Sequence, residues 1–164
     1  MEMENIYNDL RKVIIDGFTR LNKTDKVETK KWEFPAGSWE IKVVRGNVLE
    51  KATAARIILN TVNPATGDDT RFDIMQVKTY PANPKIPILL FNMENRAAKN
   101  DIFGGFLDVA PVAAAREDIT FLQNEIKKVT GKHGVDYEPL RKDIESIYKM
   151  EMGQAAQCRC RYQA

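Results

Sequence analysis

Residues 85–111 read Lys-Ile-Pro-Ile-Leu-Leu-Phe-Asn-Met-Glu-Asn-Arg-Ala-Ala-Lys-Asn-Asp-Ile-Phe-Gly-Gly-Phe-Leu-Asp-Val-Ala-Pro, and the rest of the chain is organised around them. Two apolar runs, Ile86–Phe91 and Ile102–Val109, flank a polar connector. Each is of strand length, and their separation suits neighbouring antiparallel strands. A lone carboxylate, Asp108, sits inside the second run, with Gly104-Gly105 before it and Pro111 after it. Glycines inside a strand often mark a bulge or a close backbone approach. An acid held among apolar neighbours is a candidate for proton transfer or for accepting N–H bonds. The same acid could also be an outward strand residue or a turn cap, and the sequence alone leaves both open.

Upstream, Ile6, Leu10, Val13, Ile14, Phe18 and Leu21 recur at helical spacing and predict a helix over residues 3–22. Lys26–Lys31 reads as an exposed connector. Trp39–Val44 alternates apolar and charged residues. It pairs as a hairpin with Val48–Val62 through the turn Arg45-Gly46-Asn47. Arg71–Tyr80 is a third strand, Ile86–Met93 a fourth and Ile102–Val109 a fifth. Helices follow from Arg116 to Gly131 and from Tyr137 to Met152. Consecutive strands with short loops pair antiparallel. Segregated helices and strands predict an α+β fold, an antiparallel β-sheet flanked by α-helices in an α/β/α sandwich. One domain spans 1–154, and residues 155–164 are a C-terminal tail.

Composition narrows the function. Hydrophobic residues make up 43% and charged residues 29%, the balance of a globular chain. A net charge of +2 lacks the clustered basic residues of a nucleic-acid binder. No apolar run approaches membrane-spanning length. Cys158 and Cys160 stand too close in sequence to bridge without strain, so a reduced, cytoplasmic setting is expected. The single histidine, His133, lies in a Gly-Lys-His-Gly loop and matches no metal-ligand or catalytic spacing, so no metal and no cofactor are expected. Lys51, Lys78, Arg56 and Arg71 fall on predicted strands, either as a solvated face or as a basic lining for carboxylates.

Four segments in order resemble the oxygen-dependent coproporphyrinogen III oxidase family. Arg45–Ala52 resembles its GxVFEKAG hairpin, and Asn83–Asn92 resembles its HPxNPxxPTxHxNYR strand. Phe103–Pro111 resembles FGGGxDLTP. Tyr137–Gln154 resembles its terminal helix and GExxG run. The resemblance implies a sheet between helices, usually in a homodimer. It also implies binding of coproporphyrinogen and oxidative decarboxylation of two propionates to vinyl groups with dioxygen. Asp108 then corresponds to the acid that meets the pyrrole N–H groups. Asn92 would orient the ligand, Arg96, Lys51 and Lys78 would pair its carboxylates, and Gly104 and Gly105 would let a flat ring approach. Leu90 and Glu94 stand where the family strand has its His and Arg, and the chain is shorter than family members. A tetrapyrrole or similar flat anionic ligand is therefore the expected partner of a divergent member. If active, the protein is an oxidoreductase. A non-catalytic ligand-binding or assembly module stays open. So does an enzyme like the ferredoxin-dependent bilin reductases, which share a related sandwich and a similar D-x-x-P run at Asp108–Pro111.

Overall fold

A computed structural model of the chain describes residues 3–62, 67–97, 102–110, 115–147 and 158–163. Helix α1 spans Met3–Asn22. Strands β1 (Val27–Phe34), β2 (Gly37–Val44), β3 (Leu49–Val62), β4 (Asp69–Pro81), β5 (Leu89–Ala97) and β6 (Ile102–Val109) follow. Helices α2 (Arg116–Lys132) and α3 (Tyr137–Ile147) lead to β7 (Cys158–Gln163). The seven strands form one sheet in sequence order, every neighbour antiparallel. The architecture is the expected α+β fold, an antiparallel sheet flanked by helices.

Two strands were not expected. Lys26–Lys31 is not a connector. Its residues open β1, which pairs with β2 from Val27↔Val44 to Phe34↔Gly37. Every residue of β1 is exposed, so no buried face imprints an apolar alternation on it. Gly37 makes the hairpin: its φ is +154°, and a β-carbon there would lie 1.9 Å from the Ile58 carbonyl oxygen. At the other end, Cys158–Gln163 from the expected tail pair with β6 as β7. Strand β5 also begins later than predicted. Asn83 turns the chain, its side chain accepting from Lys85 N–H at 3.0 Å, and Ile86 is left exposed. The polar residues Glu94–Ala97 instead extend the strand, held by β4 on one side and β6 on the other. The last predicted helical residues, 148–152, lie outside the described residues.

Side chains alternate across the sheet, and the helices choose one face. Tyr7, Ile15, Val44, Ala54, Met75 and Val77 form the core beneath α1, joined by Leu10, Ile14, Phe18, Phe91 and Met93. The buried stripe is rotated from the predicted one. Tyr7 and Ile15 are inside, while Ile6, Val13 and Leu21 are exposed. Ala52 and Ala54, both fully buried, give α1 room to approach. Helices α2 and α3 pack over the same face: Ile126 and Tyr137 form a second cluster with Leu107, Leu122 and Leu140. Leu107 pairs with Phe91, which belongs to the α1 core, so both clusters share one side of the sheet. Among the described residues the helices thus build one layer, and the opposite face carries none.

Polar contacts anchor α1. Arg56 Nε and Nη2 donate to the two Asp73 carboxylate oxygens at 3.0 and 2.7 Å, and Arg56 Nη1 meets Glu4 at 3.0 Å. The hydrogen bonds to Asp73 push the Arg56 guanidinium above its ordinary pKa. Tyr7 Oη donates to the Asp73 carbonyl at 3.1 Å, and burial raises the phenol well above its usual range. The helix ends in a Schellman motif with Lys23 left-handed at φ 49° and Thr24 N–H donating to Thr19 O. Buried Asn22 then clamps the β2–β3 turn: Leu49 N–H and Val48 N–H donate to its Oδ1, and its Nδ2 donates to Leu49 O.

Replacing Asn22 by Ala strands the Val48 and Leu49 N–H groups, while Leu49 O keeps the Gly46 N–H. Asn22→Ala is expected to cost about 2 kcal/mol, read as a lower urea midpoint at unchanged m-value. The second prediction concerns pH. Burial acts to raise the Glu40 carboxyl pKa, but the hydrogen bond from Lys31 and the charge of Arg11 outweigh it and hold the group below its usual value. A carboxyl lowered by folding stabilises the native state above its unfolded pKa, and that contribution is lost as pH falls through the folded value. Glu40→Gln should therefore lower stability at neutral pH and flatten the decline below about pH 4.5, measured by urea titrations at several pH values.

Candidate functional site

The face away from the described helices is ordered by strand register, and Val43, Thr53, Ala55 and Asp108 on it are buried. Reading across from β6 to β1, one row runs Asp108, Leu90, Lys78, Thr53, Val43, Glu28. The next runs Phe106, Asn92, Gln76, Ala55, Ile41, Lys30. The third runs Gly104, Glu94, Ile74, Ile57, Trp39, Trp32. The fourth runs Ile102, Arg96, Phe72, Leu59, Gly37, Phe34. Lys51 and Tyr80 pair just beyond the first row, with the Lys51 ammonium 5.6 Å from the Tyr80 ring centre.

Six of the sequence-selected residues therefore share one face: Asp108, Asn92, Arg96, Lys51, Lys78 and Gly104. Strands lie about 4.8 Å apart, and same-face neighbours along a strand about 6.7 Å. Asp108 and Lys78 stand two strands apart, about 10 Å between backbones. Asn92 is one row from Asp108. Arg96 lies three rows away, about 20 Å along the strands, so it and Asp108 address opposite ends of any ligand. Asp108 is buried among its neighbours and its Oδ1 accepts the Val109 N–H at 2.8 Å. The Asn92 amide oxygen and the Arg96 Nε are buried without a hydrogen-bond partner among the described residues. An acceptor and a donor left in that state cost stability unless something else satisfies them.

Gly105 belongs to the other face. It pairs with Met93 and lines an apolar cleft of about 310 Å³ between the sheet and α2. Phe91, Phe103, Leu107, Leu122 and Ile126 are among its walls. A β-carbon on Gly105 would come within 2.4 Å of the Asn92 carbonyl oxygen, so this glycine permits close approach of β5 rather than of a ligand. Tyr80, which no motif singles out, and Glu94, at the position of the family Arg, stand on the same face as Asp108. Only the period-two register brings them there. His133 is the exposed C-cap of α2, away from this face. Arg56, which the sequence left open as a carboxylate partner, is spent on Asp73 under α1. Among the described residues no cluster of His, Cys, Asp or Glu could hold a metal ion, and no helix is long and apolar enough to cross a membrane.

The third prediction follows from Gly105. Gly105→Ala must push β5 and β6 apart beside Asn92, and an overpacked site of this kind costs about 2 kcal/mol, measured by denaturation.

Against known proteins, the family model described as Coproporphyrinogen III oxidase matches residues 2–152. No curated protein matches the chain significantly.

Proposed function

The chain belongs to the coproporphyrinogen III oxidase family, and we propose that it binds a tetrapyrrole or a similarly flat, anionic ligand over the helix-free face of the sheet, as a cytoplasmic homodimer. The observation that carries this reading is the convergence of Asp108, Asn92, Lys78, Lys51 and Arg96 on one face by register. Asp108 accepts ring N–H groups or handles a proton. Asn92, one row away with an unpartnered amide oxygen, orients the ring. Lys51 and Lys78 meet carboxylates at one end, and Arg96 offers its unpartnered donor at the other. Gly104 keeps the floor of the β6 side low. If the ligand is oxidised as in the parent reaction, each propionic acid side chain becomes a vinyl group by losing carbon dioxide, two protons and two electrons, and dioxygen takes up the protons and electrons to give hydrogen peroxide.

A second reading is a ligand-binding module without turnover. It is favoured by Leu90, which stands directly opposite Asp108 where the family strand carries a His, and by Glu94 in place of the family Arg. Both residues that would hold propionates in the parent motif are changed on the strand nearest the acid.

The fourth prediction tests the site. Titration of the purified protein with coproporphyrin, haem and biliverdin, followed by visible absorbance, is expected to show saturable binding of at least one. Asp108→Asn keeps the Oδ1 that receives the Val109 N–H but removes the charge. It should weaken binding by about tenfold to a hundredfold while thermal stability is retained. Unchanged affinity in this variant, or no spectral change with any of the three, overturns the reading. Aerobic turnover of coproporphyrinogen marks an oxidase, binding without turnover marks the module, and reductant-dependent loss of bilin absorbance marks a bilin reductase-like enzyme.

A further inference from the structure

Strand β7 extends the face that carries Asp108. Its pairing with β6 includes Phe106↔Arg159, Gly104↔Arg161 and Ile102↔Gln163. Alternation along a strand therefore gives the Asp108 side the positions of Arg159, Arg161 and Gln163, and gives the helix side those of Cys158, Cys160 and Tyr162. The division suits both sides. Cys158, Cys160 and Tyr162 stand opposite Leu107, Gly105 and Phe103, which line the apolar cleft under α2. Arg159 continues the row of Phe106 and Asn92, and Arg161 continues the row of Gly104 and Glu94. The family match ends at residue 152, before β7 begins, so it assigns neither arginine a role.

We propose that Arg159 and Arg161 are carboxylate-binding residues of the tetrapyrrole site and border it on the β7 side. The inference rests on the ligand reading above and adds the residues that hold the ligand's second edge. Charge is the first argument. On this face β5 and β6 carry two carboxylates, Asp108 and Glu94, against one cation, Arg96, a net charge of −1 that repels an anionic ligand. The two arginines of β7 reverse it to +1. Spacing is the second argument. Arg159 lies one strand and one row from Asp108, about 8 Å between backbones, while Lys78 lies two strands away on the opposite side. The lysines of β3 and β4 and the arginines of β7 thus bracket Asp108 and Asn92, with Lys78 and Arg159 about 14 Å apart across the sheet. A flat ring with carboxylates on opposite edges needs that arrangement. Residue type is the third. Arg meets a carboxylate through two parallel N–H bonds, which fixes orientation as well as charge. Leu90 and Glu94 leave β5 without the His and Arg of the family motif, and β7 supplies cations from the other side of β6.

The test uses the full chain and whichever of coproporphyrin, haem and biliverdin it binds most tightly, titrated by visible absorbance. Arg159→Gln and Arg161→Gln are each expected to weaken binding about tenfold, and the double variant about a hundredfold. Wild-type affinity should fall between about 0.05 M and about 0.5 M sodium chloride, and more steeply than that of the double variant. A loosened β7 would not flatten the salt dependence. Arg159→Lys with Arg161→Lys keeps both charges and should retain more affinity than the double Gln variant. Lys12→Gln, at an exposed position of α1, removes a charge elsewhere and should leave binding unchanged. Undiminished binding in the double Gln variant, or weakened binding with the wild-type salt dependence, overturns the inference alone when Asp108→Asn still weakens binding. A wild-type protein that binds none of the three probes overturns the ligand reading and this inference together.

Discussion

The Arg56–Asp73 pair decides which side of the sheet is which. Both side chains are about one-tenth exposed, and the guanidinium meets the carboxylate through two hydrogen bonds. An ion pair taken this far out of water is strongly destabilising if either partner is left alone. Burial is therefore secured only when both sit together under α1, with Tyr7 bonded to the Asp73 carbonyl and Glu4 closing over Arg56. That arrangement commits the helix to one face of β3 and β4. Because side chains alternate, it also commits Lys51, Thr53, Ala55, Lys78 and Tyr80 to the other.

The consequence reaches the site through the register. From the paired centre, β4 sets β5 and β5 sets β6 with no register shift between them. Asp108 thus arrives opposite Leu90, and Asn92 one row on, because of a pairing that starts under α1. A one-residue slip would send every site residue beneath the helices and bring Met75, Val77 and Met93 into water. The hydrophobic core is what forbids that slip.

The two faces differ in what they ask of the residues on them. The helix side needs small residues, Ala52 and Ala54, and close-packed ones such as Met75 and Val44. The other side mixes an aromatic end with a polar end and has no helix over it among the described residues. Gly104 and Gly105, adjacent in sequence, lie on opposite sides of the sheet, and Gly105 accommodates the neighbouring backbone.

Much was legible in the chain itself. Helical and alternating periodicities depend on local spacing, so α1, α2, the β2–β3 hairpin and β4 could be read directly, as could the α+β class and the family motif around Asp108. Strand β1 could not, because an edge strand exposed on both faces has no apolar pattern to display. The polar half of β5 could not, because its hydrogen bonds come from two neighbours distant in sequence. The same limit applied to the stripe of α1, where Tyr7 and Ile15 rather than Ile6 and Val13 turn inward. The residue types at Asp108, Asn92, Lys51, Lys78 and Arg96 were set by sequence alone. That they share one face, that Gly105 does not join them and that no described helix covers them were decided by the tertiary structure. Face and register are properties of long-range pairing, in which each strand's choice depends on where its neighbours have already buried their apolar side chains.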